Sequence, residues 1–139
     1  MCYLQYRQKK EQATGIFRLN DLDAVITKRL KAKATGYNAQ DKLKGRLTYN
    51  SKYDCWNKRP LTYEDIIEIL KESGLNCYYC ERITTVIPTR RKDPNQLTFD
   101  RIDNSQTHHK SNLKVSCWQC NELRSNTYTS MEFYDKRRS

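Results

Sequence analysis

The sequence predicts an α+β domain in which two short strands and a helix are stapled by a metal ion, with further helices on either side. Three observations predict it: the cysteine pairs Cys77-x-x-Cys80 and Cys117-x-x-Cys120, strand-like stretches between them, and apolar residues at helical spacing before and after them. At 139 residues the chain has room for one modest core and an arm. The expected division is a basic helical and irregular arm over residues 1–59 and a cysteine-bearing domain over residues 60–139.

The first helix is expected from about Asn20, with Asn20 or Asp21 as its cap. Leu22, Val25, Ile26 and Leu30 recur at the spacing that lines one face. The opposite face carries Lys28, Arg29, Lys31 and Lys33, a basic stripe that either lies on a phosphate backbone or is simply solvated. From Gly36 to Arg59 the periodicity is weak, and Lys42, Lys44, Arg46, Lys52, Lys58 and Arg59 alternate with Tyr37, Tyr49, Tyr53 and Trp56. This stretch reads as an irregular basic connector, suited to stacking and phosphate contact or to packing on the core.

A second helix follows Pro60. Thr62 and Asp65 resemble a capping box, Ile66, Ile67, Ile69 and Leu70 supply a buried face, and Gly74 can end the helix. Ile83 to Ile87 is β-branched and reads as a strand, Pro88 to Asn95 as a charged turn, and Leu97 to Ile102 as a second strand. A polar loop from Asp103 to Asn112 leads to a strand from Leu113 to Ser116 and a helix from Trp118 to Ser125. Thr129 with Glu132 caps a last helix bearing Met131, Phe133 and Tyr134 and ending in Lys136, Arg137 and Arg138.

Lys and Arg number 26 against 16 Asp and Glu, a formal charge of +10, which is the footprint of a polyanion binder. Nucleic acid is the first partner to consider. Only 37% of the residues are hydrophobic, so a metal staple would help the chain fold. No stretch approaches the roughly 20 apolar residues that span a bilayer, and Met1 to Lys10 holds no signal-like apolar run, so a soluble intracellular protein without a membrane partner is expected.

In a reducing compartment, paired cysteines point to metal rather than disulfides. Two residues between the members of each pair let both sulfurs reach one tetrahedral ion, so Cys77, Cys80, Cys117 and Cys120 are expected to hold zinc. A site closed by four sulfurs leaves no position for water, which makes this zinc structural. Cys2 and Cys55 are left as free thiols.

Between the knuckles stand Leu97-Thr98-Phe99-Asp100-Arg101-Ile102-Asp103-Asn104 and His108-His109-Lys110-Ser111-Asn112-Leu113, and the second knuckle reads Cys117-Trp118-Gln119-Cys120-Asn121. From about Leu61 to Asn126 this resembles the HNH (His-Me finger, ββα-metal) endonucleases with two zinc knuckles. The resemblance implies a zinc-stapled ββα-metal finger, with additional N-terminal basic helices and a C-terminal helix. It also implies that Asp100 and Asn121 ligate a catalytic divalent cation, Mg²⁺ or Mn²⁺, and that Asn112 ties the loop to the strand. The chain departs from the family at Arg101, which occupies the place of the histidine that activates water; a guanidinium stays charged and is no general base. Arg101 could instead contact the scissile phosphate or pair with Asp103 or Glu81. The base then falls to His109, His108, Asp103 or a tyrosine, with His109 favoured for its position before Asn112.

The implied activity is metal-dependent cleavage of DNA, in preference to RNA, by a protein of the kind carried by viruses and mobile elements. Two other classes fit the same residues: a catalytically inactive zinc-stabilised module that binds DNA or RNA, and a structural subunit of a nucleoprotein assembly.

Overall fold

The computed structural model describes residues 17, 22–125 and 127–139. Helix α1 spans Ala24–Leu43, and its N-cap Asp23 accepts from the Ile26 amide at 2.8 Å. The caps expected at Asn20 or Asp21 lie outside the described residues. Ile26, Leu30 and Ala34 are buried, whereas Val25, expected on the same face, is 56% exposed. The apolar stripe is therefore narrower than the spacing suggested, and the basic residues flank it.

The helix does not stop where the sequence weakens at Gly36. A glycine inside a helix costs about 1 kcal/mol relative to alanine, but the turns that follow find long-range partners. The Asn38 amide both donates to the Leu61 carbonyl and accepts from the Leu61 amide, each at 2.9 Å. Tyr37 and Asp41 also bond to the distant cysteine-bearing segment. The rest of the expected connector holds a small antiparallel hairpin, β1 (Tyr49–Asn50) with β2 (Cys55–Trp56).

Helix α2 (Tyr63–Ser73) carries the full capping box between Thr62 and Asp65, and Gly74 ends it at φ 68°. Strand β3 (Leu97–Arg101) pairs antiparallel with β4 (Leu113–Cys117), in a register running from Leu97 opposite Cys117 to Arg101 opposite Leu113. A short 3-10 turn, Lys110–Asn112, delivers the loop into β4. Helix α3 (Trp118–Arg124) follows at once, and α4 (Ser130–Arg138) begins at a second capping box, Thr129 with Glu132.

The expected strand at Ile83 to Ile87 is reduced to isolated bridges, Asn76 with Ile83 and Thr85 with Gln96. Thr84 bonds back to Leu75 while Thr85 bonds forward to Asn95, so the segment serves two neighbours in turn and no ladder grows.

Ile26, Leu30 and Ala34 of α1, Ile66, Ile69 and Leu70 of α2, Leu97 and Phe99 of β3, and Leu113 and Val115 of β4 belong to one core cluster. Residues on both sides of the expected division at 59/60 thus share a core. Successive strand side chains point to opposite faces, so with Leu97 and Phe99 in that core, Asp100 faces the other way and meets Arg124 of α3. A second cluster gathers Cys77, Tyr79, Cys117, Cys120 and Phe133, which lays α4 over the cysteines. Among the described residues no helix is long and apolar enough to cross a membrane.

Candidate functional site

Gly74 turns the chain out of α2 into the first cysteine pair, and β4 ends at Cys117 with Cys120 in the first turn of α3. These placements bring the sulfurs of Cys77, Cys80, Cys117 and Cys120 within 4.8 Å of one another, with Cys80 and Cys117 3.8 Å apart. A tetrahedron with sulfurs about 2.3 Å from its centre has edges of about 3.8 Å, so the donor set and spacing suit structural zinc. The Cys120 amide donates to Cys117 Sγ at 3.3 Å and Arg137 Nε to Cys120 Sγ at 3.4 Å, both favouring thiolates. It is the one group of three or more His, Cys, Asp or Glu ligand atoms this close among the described residues.

The other expected site residues divide between two depressions. A polar cleft of about 290 Å³ is lined by Tyr37 and Gln40 of α1, Phe99, Asp100 and Arg101 of β3, Asn104 and His108 of the loop, and Asn121, Glu122 and Ser125 at α3. Asp100, Arg101 and Asn121 are therefore brought together. Asn112 lies behind the cleft as a tie: its side chain accepts from the Asp103 amide at 2.9 Å and donates to the carbonyls of Asp103 at 3.1 Å and Thr107 at 3.0 Å. Those bonds close the loop between β3 and β4.

His109, favoured on sequence position, is not in this cleft. It lines a separate depression of about 630 Å³ with Lys58, Arg59, Lys110 and Lys114, and its Nδ1 pairs with the Ser111 hydroxyl at 2.8 Å. The loop conformation fixed by Asn112 sends the two adjacent histidines opposite ways, and His108 is the one that enters. Its backbone amide donates to Asp41 Oδ2 at 2.8 Å, and its Nδ1 lies 3.1 Å from both Asp41 carboxylate oxygens. Its ring stacks on Tyr37, centroids 4.3 Å apart and planes 10° from parallel. Burial pushes the His108 pKa down to about 4, the pull of Asp41 notwithstanding, with Arg101 and Arg46 lowering it further, so the ring is neutral at pH 7.

Arg101 turns toward its own loop, donating to the carbonyls of Asn104 at 2.5 Å and Gln106 at 3.3 Å. It pairs with neither Asp103 nor Glu81: Asp103 Oδ1 is taken by the Ser105 amide and hydroxyl, and Glu81 pairs with Arg138.

Asp100 is held on one oxygen. Oδ2 accepts from the Tyr79 hydroxyl and from Arg124 Nη1, while Oδ1 has no hydrogen bond among the described residues. Burial raises the Asp100 pKa against the opposing effects of Tyr79 and Arg124. Arg124 is itself 1% exposed and also donates to the carbonyls of Arg101, Ile102 and Tyr128 and to Asn104 Oδ1. Sequence reading missed Arg124, Tyr79, Tyr37 and Asp41. Only Arg124 left a local signal, three residues after Asn121 and hence on the same side of α3. The Asn121 side-chain amide carries no hydrogen bond among the described residues, and the residue lies at the cleft wall.

Chemically, the cleft offers several oxygens with no hydrogen bond among the described residues, among them Asp100 Oδ1 and the side-chain oxygens of Asn121 and Glu122, together with a neutral imidazole and a guanidinium in a polar recess. That inventory makes the recess polar and ill suited to an apolar ligand. Comparisons with family models, curated proteins and solved structures find no match to this chain.

Proposed function

We propose that the chain is an HNH-type endonuclease that cleaves DNA with a divalent metal ion and is stapled by a structural zinc, of the kind borne by viruses and mobile elements. The observation that carries this reading is the meeting of Asp100, from the end of β3, with Asn121, from the helix after the second knuckle, in one polar cleft. Asp100 Oδ1 and the Asn121 amide oxygen are the atoms that would hold Mg²⁺ or Mn²⁺, and both are free of other bonds among the described residues. Such an ion, when bound, supplies neutralisation of the scissile phosphate and of charge on the leaving oxygen.

The protein's own share is orientation. Tyr79 and Arg124 fix the Asp100 carboxylate, Asn112 fixes the loop, and the excess of Lys and Arg supplies grip on the phosphate backbone. DNA is proposed over RNA on the family resemblance alone.

Supercoiled plasmid tests the reading. The native chain is expected to nick it in Mg²⁺ or Mn²⁺ and not in EDTA, and Asn121→Ala is expected to abolish nicking while retaining zinc. A second reading, a silent module that binds DNA or RNA, is favoured by one observation: Arg101 stands where the family has its catalytic histidine and is spent on its own loop. Salt-sensitive binding without cleavage of any duplex, single-stranded or branched DNA would select it.

A further inference from the structure

If Arg101 removes the family's base, some other group must take the proton from the attacking water. The cleft narrows the choice. Tyr37 has its hydroxyl engaged as acceptor for the Phe99 amide at 3.0 Å, and burial raises its pKa to about 12. Asp100 has Oδ2 held by Tyr79 and Arg124, and its Oδ1, free among the described residues, is the oxygen assigned above to the metal ion. His109 and Asp103 do not line the cleft. Glu122 is an exposed carboxylate with no residue orienting it among those described. His108 alone is both neutral and held in a fixed plane.

We propose that His108 is the general base of the cleavage reaction and that Asp41, from helix α1, is its positioning residue. The proposal rests on the nuclease reading above and deepens it. Asp41 receives the His108 backbone amide and faces Nδ1, which sets the tautomer with the proton on Nδ1 and the lone pair on Nε2. Nε2 has no hydrogen bond among the described residues, and the residue lines the cleft that contains Asp100 and Asn121. Asp41 is in turn fixed by Arg46 Nε at 2.9 Å. Tyr37 stacks on the ring and is tied through Phe99, the neighbour of Asp100, so one helix sets the base against the strand that bears the carboxylate.

In the step itself, Nε2 accepts a proton from water as the water oxygen bonds to phosphorus. The bond from phosphorus to the leaving sugar oxygen breaks, and that oxygen takes a proton from solvent. The imidazolium so formed is stabilised by the Asp41 carboxylate and then returns its proton to solvent. Helix α1 is thus part of the active centre and not only a grip on DNA.

The test is steady-state cleavage of a plasmid or oligonucleotide duplex by the zinc-loaded 139-residue chain in saturating Mg²⁺, with zinc content, melting temperature and DNA affinity checked for each variant. His108→Gln is expected to lower kcat by about 10²-fold or more with KM little changed, as removal of a general base does. Asp41→Asn, which keeps shape but presents a donor to Nδ1, is expected to lower kcat without lowering DNA affinity. Added imidazole should restore part of the rate to His108→Ala and none to Asp41→Asn, a response that a purely structural histidine would not give. Near-native kcat in His108→Gln, a comparable loss in His109→Gln or Glu122→Gln instead, or no imidazole rescue of a zinc-loaded, DNA-binding His108→Ala would overturn the assignment. Those failures leave native cleavage intact, whereas an inactive native chain overturns the nuclease reading and this proposal together.

Discussion

Arg124, fully buried at the end of α3, donates Nη1 to Asp100 Oδ2 at 2.5 Å and clamps the carbonyls of Arg101 and Ile102 beyond it. A charged pair taken out of water is worth little net, but removing one member leaves the other buried and unpaired. Arg124→Met is therefore expected to destabilise the protein by about 3–5 kcal/mol. Lysine cannot reproduce the forked contacts, so Arg124→Lys should recover only part of the loss. Chemical denaturation of the zinc-loaded variants measures both.

The cysteine cluster joins the two ends of the segment that contains β3 and β4, and a single ion there closes a long loop. Chelation of zinc is expected to abolish the cooperative unfolding transition and the helical circular dichroism of α3 and α4. Re-addition of about one equivalent of zinc should restore both. Any single Cys→Ser change among Cys77, Cys80, Cys117 and Cys120 should weaken zinc retention, whereas Cys55→Ser, at an exposed position, should leave it as it was.

Acid should destabilise the fold through His108. Its folded pKa is about 4 against 6.5 for the free side chain, so between those values the unfolded chain binds the proton first. Stability is expected to fall as pH drops from about 6.5 to about 4, by up to roughly 3 kcal/mol, and this group adds nothing further below that window. For Asp41, burial alone would raise the carboxyl, but the His108 amide and Arg46 outweigh it and hold it below the usual range, so it titrates beneath this window. Loss of zinc in acid is common to native and variant, so the difference between native and His108→Gln melting curves isolates the histidine. Parallel curves from pH 7 to 4 would contradict the burial of a neutral ring.

Local chemistry was legible and long-range chemistry was not. Both capping boxes, Thr62 with Asp65 and Thr129 with Glu132, follow from side chains three residues apart, and the grouping of the four cysteines follows from the spacing within each pair. The order of strand, loop, strand and helix between Leu97 and Arg124 was also readable from pattern. The length of α1 was not, because Asn38 and Tyr37 are held by Leu61 and Phe99, partners far along the chain. For the same reason His108 and His109 could not be told apart: the partner that separates them, Asp41, lies 67 residues away. The expected strand at Ile83 to Ile87 had the right residue types but only split pairing partners.

The most direct measurement is cleavage of supercoiled DNA by the zinc-loaded native chain in Mg²⁺ or Mn²⁺, beside Asn121→Ala and Asp100→Asn variants shown to hold zinc and bind DNA. Divalent-dependent nicking by the native chain, lost in both variants, is the expected result. No nicking by the native chain on supercoiled, single-stranded or branched DNA, with salt-sensitive binding intact, would contradict it and leave a zinc-stapled binding module.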